Sequence, residues 1–280
     1  MFRYTASLVV ILAACFGAQT VALRLSGGKT LKSESNYFSS VARLQTESQG
    51  QPKIMMLGSS MTGRLGDRAQ RFDGVANLGC DGGSAVVTLR AMDRGQLPVA
   101  PLLVIEANSL SFELEHRGRE IGAAIDDRWF EIGIKTPNLG ATARPAAFAY
   151  SWLMARKSGV DTSGSKELLP ITTRPSVLDP ANAPELDEKS AALVEEVSAI
   201  LERLRKKGCD LLLITLPPGT PQDSLQSKIP RTIAAKAGVR WWDLTEGLPE
   251  GSVSFSDGLH LDGPSAQKVM LTLMRELEFR

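Results

Sequence analysis

The stretch Ile54-Met55-Met56-Leu57-Gly58-Ser59-Ser60-Met61 is an uncharged apolar run that breaks at a glycine into two serines. Consecutive apolar residues without alternation suit a strand covered on both faces, as in a parallel sheet. Small hydroxyl residues straight after such a strand suit the start of a helix. The same rhythm recurs along the chain. Further strands are expected at Val75 to Leu78, Leu102 to Ala107, Asp210 to Leu216 and Val239 to Leu244, with helices at Ala85 to Asp93, Glu185 to Lys207 and Ser265 to Leu277. In the second helix Leu193, Val197, Ile200, Leu201 and Leu204 fall at three- and four-residue steps, and Gly208 follows as its terminator. Strands alternating with helices predict an α/β fold with a parallel sheet.

On either side of that rhythm the chain changes character. Tyr4 to Leu23 carries no charge and follows Arg3, so residues 1–24 read as a signal peptide or an N-terminal membrane anchor. Both readings place the rest of the chain outside the cytoplasm, periplasmic or secreted, with membrane attachment through residues 4–23 in the anchored case. Leu12-Ala13-Ala14-Cys15 resembles a lipobox that would lipidate Cys15, but the apolar run continues through Phe16, Val21 and Leu23. Residues 25–52 read as a polar connector and 53–280 as one domain. An insertion at about 110–183 breaks the strand rhythm. It carries Trp129, Phe130, Phe148, Tyr150 and Trp152, with a helix expected around Ala146 to Lys157. The insertion either covers the strand ends where substrates bind or packs a small core of its own.

Charge and composition narrow the function. With 32 Lys and Arg against 31 Asp and Glu, the net charge is +1 and there is no basic run, which argues against nucleic acid as a partner. Cys15, Cys80 and Cys209 show no paired spacing and only His116 and His260 are present, so no metal and no cofactor is implied. Cys80 and Cys209 read as small buried hydrophobes, with a bridge between them as the alternative.

Two segments carry chemistry. Phe255-Ser256-Asp257-Gly258-Leu259-His260 supplies a carboxylate and an imidazole three residues apart on a glycine-containing turn. This is the pair a hydroxyl nucleophile needs: a base, and a group to hold that base in one tautomer. His116 sits among charges in Glu113-Leu114-Glu115-His116-Arg117, which leaves His260 as the better base. Ser60, projecting from a strand end at a helix N-terminus, is the candidate nucleophile.

These blocks come in a telling order. Gly58-Ser59-Ser60, then Asn77-Leu78-Gly79 after the second strand, Asn108 after the third, and Asp257-x-x-His260 before the last helix together resemble the SGNH (GDSL-like) hydrolases over Ile54 to Leu277. The resemblance implies a three-layer α/β/α flavodoxin-like sandwich with a five-stranded parallel sheet. It further implies a triad of Ser60, Asp257 and His260, and an oxyanion hole formed by the amides of Ser60 and Gly79 and the side chain of Asn108. Two blocks depart from the family pattern. Its Gly-Asp-Ser is Gly58-Ser59-Ser60 here, and its Gly-x-Asn-Asp is Glu106-Ala107-Asn108-Ser109.

For an exported chain the resemblance points to a serine esterase acting through an acyl-enzyme, above all on O-acetyl groups of envelope or extracellular polysaccharide. An O-acyltransferase would use the same triad. A lipase or lysophospholipase is a further reading, and would show a wide apolar cleft lined by Trp129, Phe130 and Trp152. From another class comes a catalytically silent exopolysaccharide-binding protein.

Overall fold

Five short strands form the parallel body of one sheet: β1 (Ile54–Gly58), β2 (Val75–Gly79), β3 (Leu102–Glu106), β5 (Asp210–Thr215) and β6 (Arg240–Asp243). The computed structural model describes residues 2–25, 36–68, 72–144, 166–182 and 184–278. A sixth strand, β4 (Ser176–Val177), pairs antiparallel with Trp241 and Arg240 at the edge, giving the order β2-β1-β3-β5-β6-β4. The sheet thus has six strands where five were expected. At two exposed residues, β4 is too short and too polar to leave a hydropathy signature.

Because β2 lies on one side of β1 and β3 on the other, the chain reverses direction across the sheet at the carboxyl ends of β1 and β3. A crevice opens there, and in open α/β sheets such crevices receive ligands. One face is covered by α4 (Ala85–Asp93), α7 (Glu188–Lys206) and α8 (Leu225–Ala237); the other by α3 (Ser60–Arg68) and α9 (Gly263–Glu278). In α7 the periodic apolar residues Leu193, Val197, Ile200, Leu201 and Leu204 are all buried, and Asp187 caps the helix by accepting from the amide of Ser190 at 2.8 Å. α8 has no counterpart in the sequence reading, because Pro230 inside it reads as a helix breaker.

The stretch expected to be a polar connector contains α2 (Asn36–Glu47), which packs on β2 through Val41, Ala42 and Leu44. Its polar residues work inward. Gln45 donates to the carbonyl of Phe130 at 3.1 Å and accepts from the amide of Ala141 at 2.9 Å. Those partners belong to the described part of the insertion, where α5 (Arg119–Asp126) and α6 (Arg128–Lys135) pack against α2. Phe130 joins the main core and Trp129 stands 67% exposed. The helix expected at 146–157, with Phe148, Tyr150 and Trp152, lies outside the described residues.

α1 (Phe2–Leu25) contains an 18-residue stretch with a mean hydropathy of 2.1 and is long and apolar enough to cross a membrane; Leu8 to Leu12 are exposed. Its C-terminal end rests on the domain. Asn138 donates to Thr20 Oγ1 at 2.9 Å, Ala22 is buried, and Leu23 shares a cavity of about 430 Å³ with Pro52, Gly74, Val75 and Ala76. Those residues lie where β1 and β2 begin, so α1 is rooted at the amino edge of the sheet. Cys15 is exposed on α1, while Cys80 and Cys209 are separate buried thiols, and burial pushes Cys80 up to about 12.

Candidate active site

Ser60 and His260 are 200 residues apart, and packing between two helices joins them. Ser60 begins α3, whose Met61 and Leu65 pack with Ala266, Val269, Met270, Leu273 and Met274 of α9 above Met56, Val104, Leu212 and Ile214 of the sheet. Burying side chains of this size contributes roughly 1.5 to 3 kcal/mol each, so the register of α3 against α9 is firmly set. His260 stands three residues before α9. Its loop closes on itself: Phe255 bridges to Leu261, the amide of Ser256 donates to the carbonyl of His260 at 2.9 Å, and that of Asp262 to the carbonyl of Ser254 at 3.0 Å. Gly258 takes the left-handed conformation at φ +80°, which lets Asp257 fold back over the turn.

A hydroxyl, an imidazole and a carboxylate meet there in line. Ser60 Oγ is 2.9 Å from His260 Nε2, and His260 Nδ1 is 2.8 and 3.0 Å from the two oxygens of Asp257. The backbone amide of His260 also donates to Asp257 Oδ1 at 2.8 Å, and that of Leu259 at 3.2 Å. That amide of His260 is the main reason the Asp257 carboxyl is held well below the usual carboxylate range; the imidazole adds to it. The ionised form of Asp257 is thereby favoured, and an ionised carboxylate favours the tautomer with hydrogen on Nδ1 and a lone pair on Nε2 facing Ser60. Arg64, one turn beyond Ser60 on α3, donates to Asp257 Oδ2 at 2.9 Å and lies 2.9 Å from His260 Nδ1. With Nδ1 protonated, Arg64 bonds only to the carboxylate and adds a second fastening between α3 and the His260 turn. His116 lies on the surface in a left-handed turn.

Glu106, which ends β3, is the residue that sequence patterning missed. It is fully buried, and its carboxyl sits beneath the Ser59–Thr62 turn. Oε2 accepts from the amides of Ser59 (2.9 Å) and Thr62 (3.1 Å) and from the Thr62 hydroxyl (2.6 Å), while Oε1 accepts from the Ser59 hydroxyl (2.7 Å). Glu106 thus caps α3 from a neighbouring strand. Gly58 leaves room for it, since a Cβ there would come within 2.3 Å of Glu106 Oε2. The two departures noted in the sequence are spatially one feature: the serine at position 59 and the glutamate at position 106 hydrogen-bond to each other. Burial pushes Glu106 up from its ordinary value, against four bonds that favour the charged form.

The expected oxyanion donors fare differently. The amide of Ser60 has no partner among the described residues, as its place in the first turn of α3 requires. Gly79 does not supply a free donor: its amide is taken by Asn77 Oδ1 at 2.9 Å and its carbonyl by Arg43. Its lack of a side chain serves packing. A Cβ on Gly79 would lie 2.2 Å from the Gly63 nitrogen and 2.8 Å from the Ser59 carbonyl oxygen. Gly79→Ala is accordingly expected to force β2 away from the Ser59–Thr62 turn and to cost about 1 to 3 kcal/mol, read as a lower denaturant midpoint. In the turn after β2, Asp81 donates to Ser40 and Gly83 to the Cys80 carbonyl, while the amide of exposed Gly82, at the same edge as Ser60, has no hydrogen-bond partner among the described residues. Asn108 is buried and clamps β3 to β5, donating to the Leu216 carbonyl at 3.1 Å and accepting from the Leu216 amide at 2.8 Å. One hydrogen of its amide group remains beyond that clamp.

Among the described residues no cluster of three or more His, Cys, Asp or Glu is arranged to hold a metal ion. What the site offers is proton transfer from a hydroxyl through an imidazole held by a carboxylate. No family model, curated protein or solved structure matches the chain.

Proposed function

We propose that the protein is a serine esterase of the SGNH type that removes O-acyl groups, foremost O-acetyl, from polysaccharide outside the cytoplasm. The observation that carries this reading is the unbroken chain from Ser60 Oγ through His260 to Asp257, with links of 2.9 and 2.8 Å. In the mechanism, Nε2 of His260 takes the Ser60 proton as Oγ attacks the ester carbonyl. His260 then returns that proton to the departing sugar oxygen, leaving an acyl-enzyme, and next activates the water that releases the acid. The amides of Ser60 and Gly82, with the remaining hydrogen of Asn108, are the donors we assign to the oxyanion. One well-placed donor contributes roughly 3 to 4 kcal/mol to the transition state. Asp257 stabilises the imidazolium that forms between the two proton transfers.

Two observations favour polysaccharide over membrane lipid. α1 is rooted at the amino edge of the sheet and the triad stands at the carboxyl edge, so a domain tethered by α1 carries its reacting groups on the side away from that root. Of the aromatic residues expected to line a lipase cleft, Phe130 is instead part of the core and Trp129 projects into solvent.

The reading is tested by labelling the full-length protein with a fluorophosphonate, locating the adduct by mass spectrometry, and comparing acetyl with longer aryl esters. The adduct is expected on Ser60, with kcat/KM falling as the acyl chain lengthens. An adduct elsewhere, or a preference for long chains, contradicts the proposal.

A further inference from the structure

Beside the carboxyl edge of β3, β5 and β6 lies a second cavity of about 370 Å³, within the range of small-ligand sites. It is walled by the beginning of the 3₁₀ segment Ala107–Glu115, the ends of β5 and β6, and α8. Its lining is mostly polar: Gln222, Gln226, Arg231, Asp243 and Glu246 face it with threonines between them, and Trp241 and Ala107 add apolar surface. One of those threonines is out of keeping with an idle surface. Thr215 is 5% exposed and its Oγ1 has no hydrogen-bond partner among the described residues. A buried hydroxyl left unpaired costs about 1 to 3 kcal/mol, and a χ1 rotation that turned Oγ1 toward the cavity would let a ligand hydroxyl relieve it.

The lining also restricts the ligand. Amides, hydroxyls and carboxylates offer closely spaced donors and acceptors, which vicinal hydroxyl groups satisfy and an acyl chain does not. Two carboxylates against one guanidinium disfavour an anion such as a phosphate or a uronic acid. Asp243 already accepts from the amide and hydroxyl of Thr245 at 2.9 and 2.6 Å, which argues against a bare cation. Asn108 lines the cavity and stands at the end of β3, the strand beside the one that leads into Ser60.

We infer that this cavity is a saccharide subsite holding a neutral or amino-sugar unit of the chain whose acyl group meets Ser60. The inference rests on the esterase reading and names the part of the substrate that gives it specificity. Gln226 and Arg231 bind ring hydroxyls, and Thr215 Oγ1 gains the partner it lacks.

The test uses full-length Ser60→Ala protein in detergent, so that binding is read without turnover. Ligand-observed NMR is run with xylotetraose, the chitosan tetramer and tetragalacturonate. Xylotetraose or the chitosan tetramer is expected to bind and tetragalacturonate is not. Adding Gln226→Ala or Thr215→Val should weaken binding about fivefold or more. Thr215→Val is the sharper arm, because removing an unpaired buried hydroxyl should leave the melting temperature unchanged or higher while binding falls. With Ser60 intact, Gln226→Ala should raise KM for acetylated xylan and leave kcat/KM for 4-nitrophenyl acetate unchanged. Binding of neither uncharged nor amino tetrasaccharide, preference for tetragalacturonate, undiminished binding by both variants, or equal loss on polymer and aryl ester each overturns the inference. Failure of the esterase reading shows differently, as hydrolysis that persists without Ser60.

Discussion

Ser60→Ala is expected to lower kcat for aryl acetate hydrolysis by roughly 10⁴- to 10⁶-fold and to abolish fluorophosphonate labelling, with the melting temperature unchanged. The size follows from the geometry. Ser60 is half-buried and its Oγ is 2.9 Å from the imidazole, so removing one oxygen deletes the nucleophile without opening the core. His260→Ala should cost a similar factor. The double variant should be no worse than either single one, because in the proposed mechanism nucleophile and base act in one step. Asp257→Asn should lose less, roughly 10⁴-fold, since it stabilises the wrong tautomer while leaving hydroxyl and ring in place. A Ser60→Ala protein with more than about one hundredth of the original rate would remove Ser60 from the mechanism, and additive losses in the double variant would show that the two groups do not act together.

How much of this could be seen before folding depends on whether the signal was local. The five parallel strands announce themselves as unbroken apolar runs, and Asp257 and His260 share one turn, so both were legible in sequence. What the sequence obscured were residues whose polarity is used inside the protein. In α2, Gln45 and Arg43 bond into the insertion and to the Gly79 carbonyl, so a packed helix resembles a linker. Pro230 masks α8 in the same way, by carrying a breaker's identity inside a buried helix. Gly79 is ambiguous for another reason. A glycine that lets two backbones approach and one that offers its amide to a substrate look alike in sequence, and only the bond from its amide to Asn77 separates them. Glu106 was invisible because its partners, Ser59 and Thr62, lie more than forty positions upstream.

Glu106 carries the second large effect. Glu106→Ala removes the acceptor from two buried amides and two hydroxyls at once, and at about 1 to 3 kcal/mol for an orphaned donor, partly relieved by water, a loss of about 3 to 5 kcal/mol is expected. What remains folded should show a kcat reduced about a hundredfold, since the turn that aims Ser60 has lost its floor. Glu106→Gln separates charge from shape. Its carbonyl oxygen can still accept from the amides of Ser59 and Thr62, and its amide group can donate to the Ser59 hydroxyl, so stability within about 1 kcal/mol of the parent and nearly full kcat are expected. The sign of the pH dependence follows from burial. Because the folded-state pKa is raised, the unfolded chain loses this proton first, at about 4.3. The contribution of Glu106 to stability is therefore complete below that pH and declines as pH rises toward the folded value. Glu106→Gln has no such proton to lose, so its stability relative to the parent should climb over the same interval, measured by denaturant unfolding in steps from pH 4 upward. A gap that narrows as pH rises would mean that the four hydrogen bonds outweigh desolvation and that the carboxylate is ionised under α3. In that case a fixed negative charge would stand behind the proposed oxyanion, and the three proposed donors, the amides of Ser60 and Gly82 and the side chain of Asn108, would have to outweigh it.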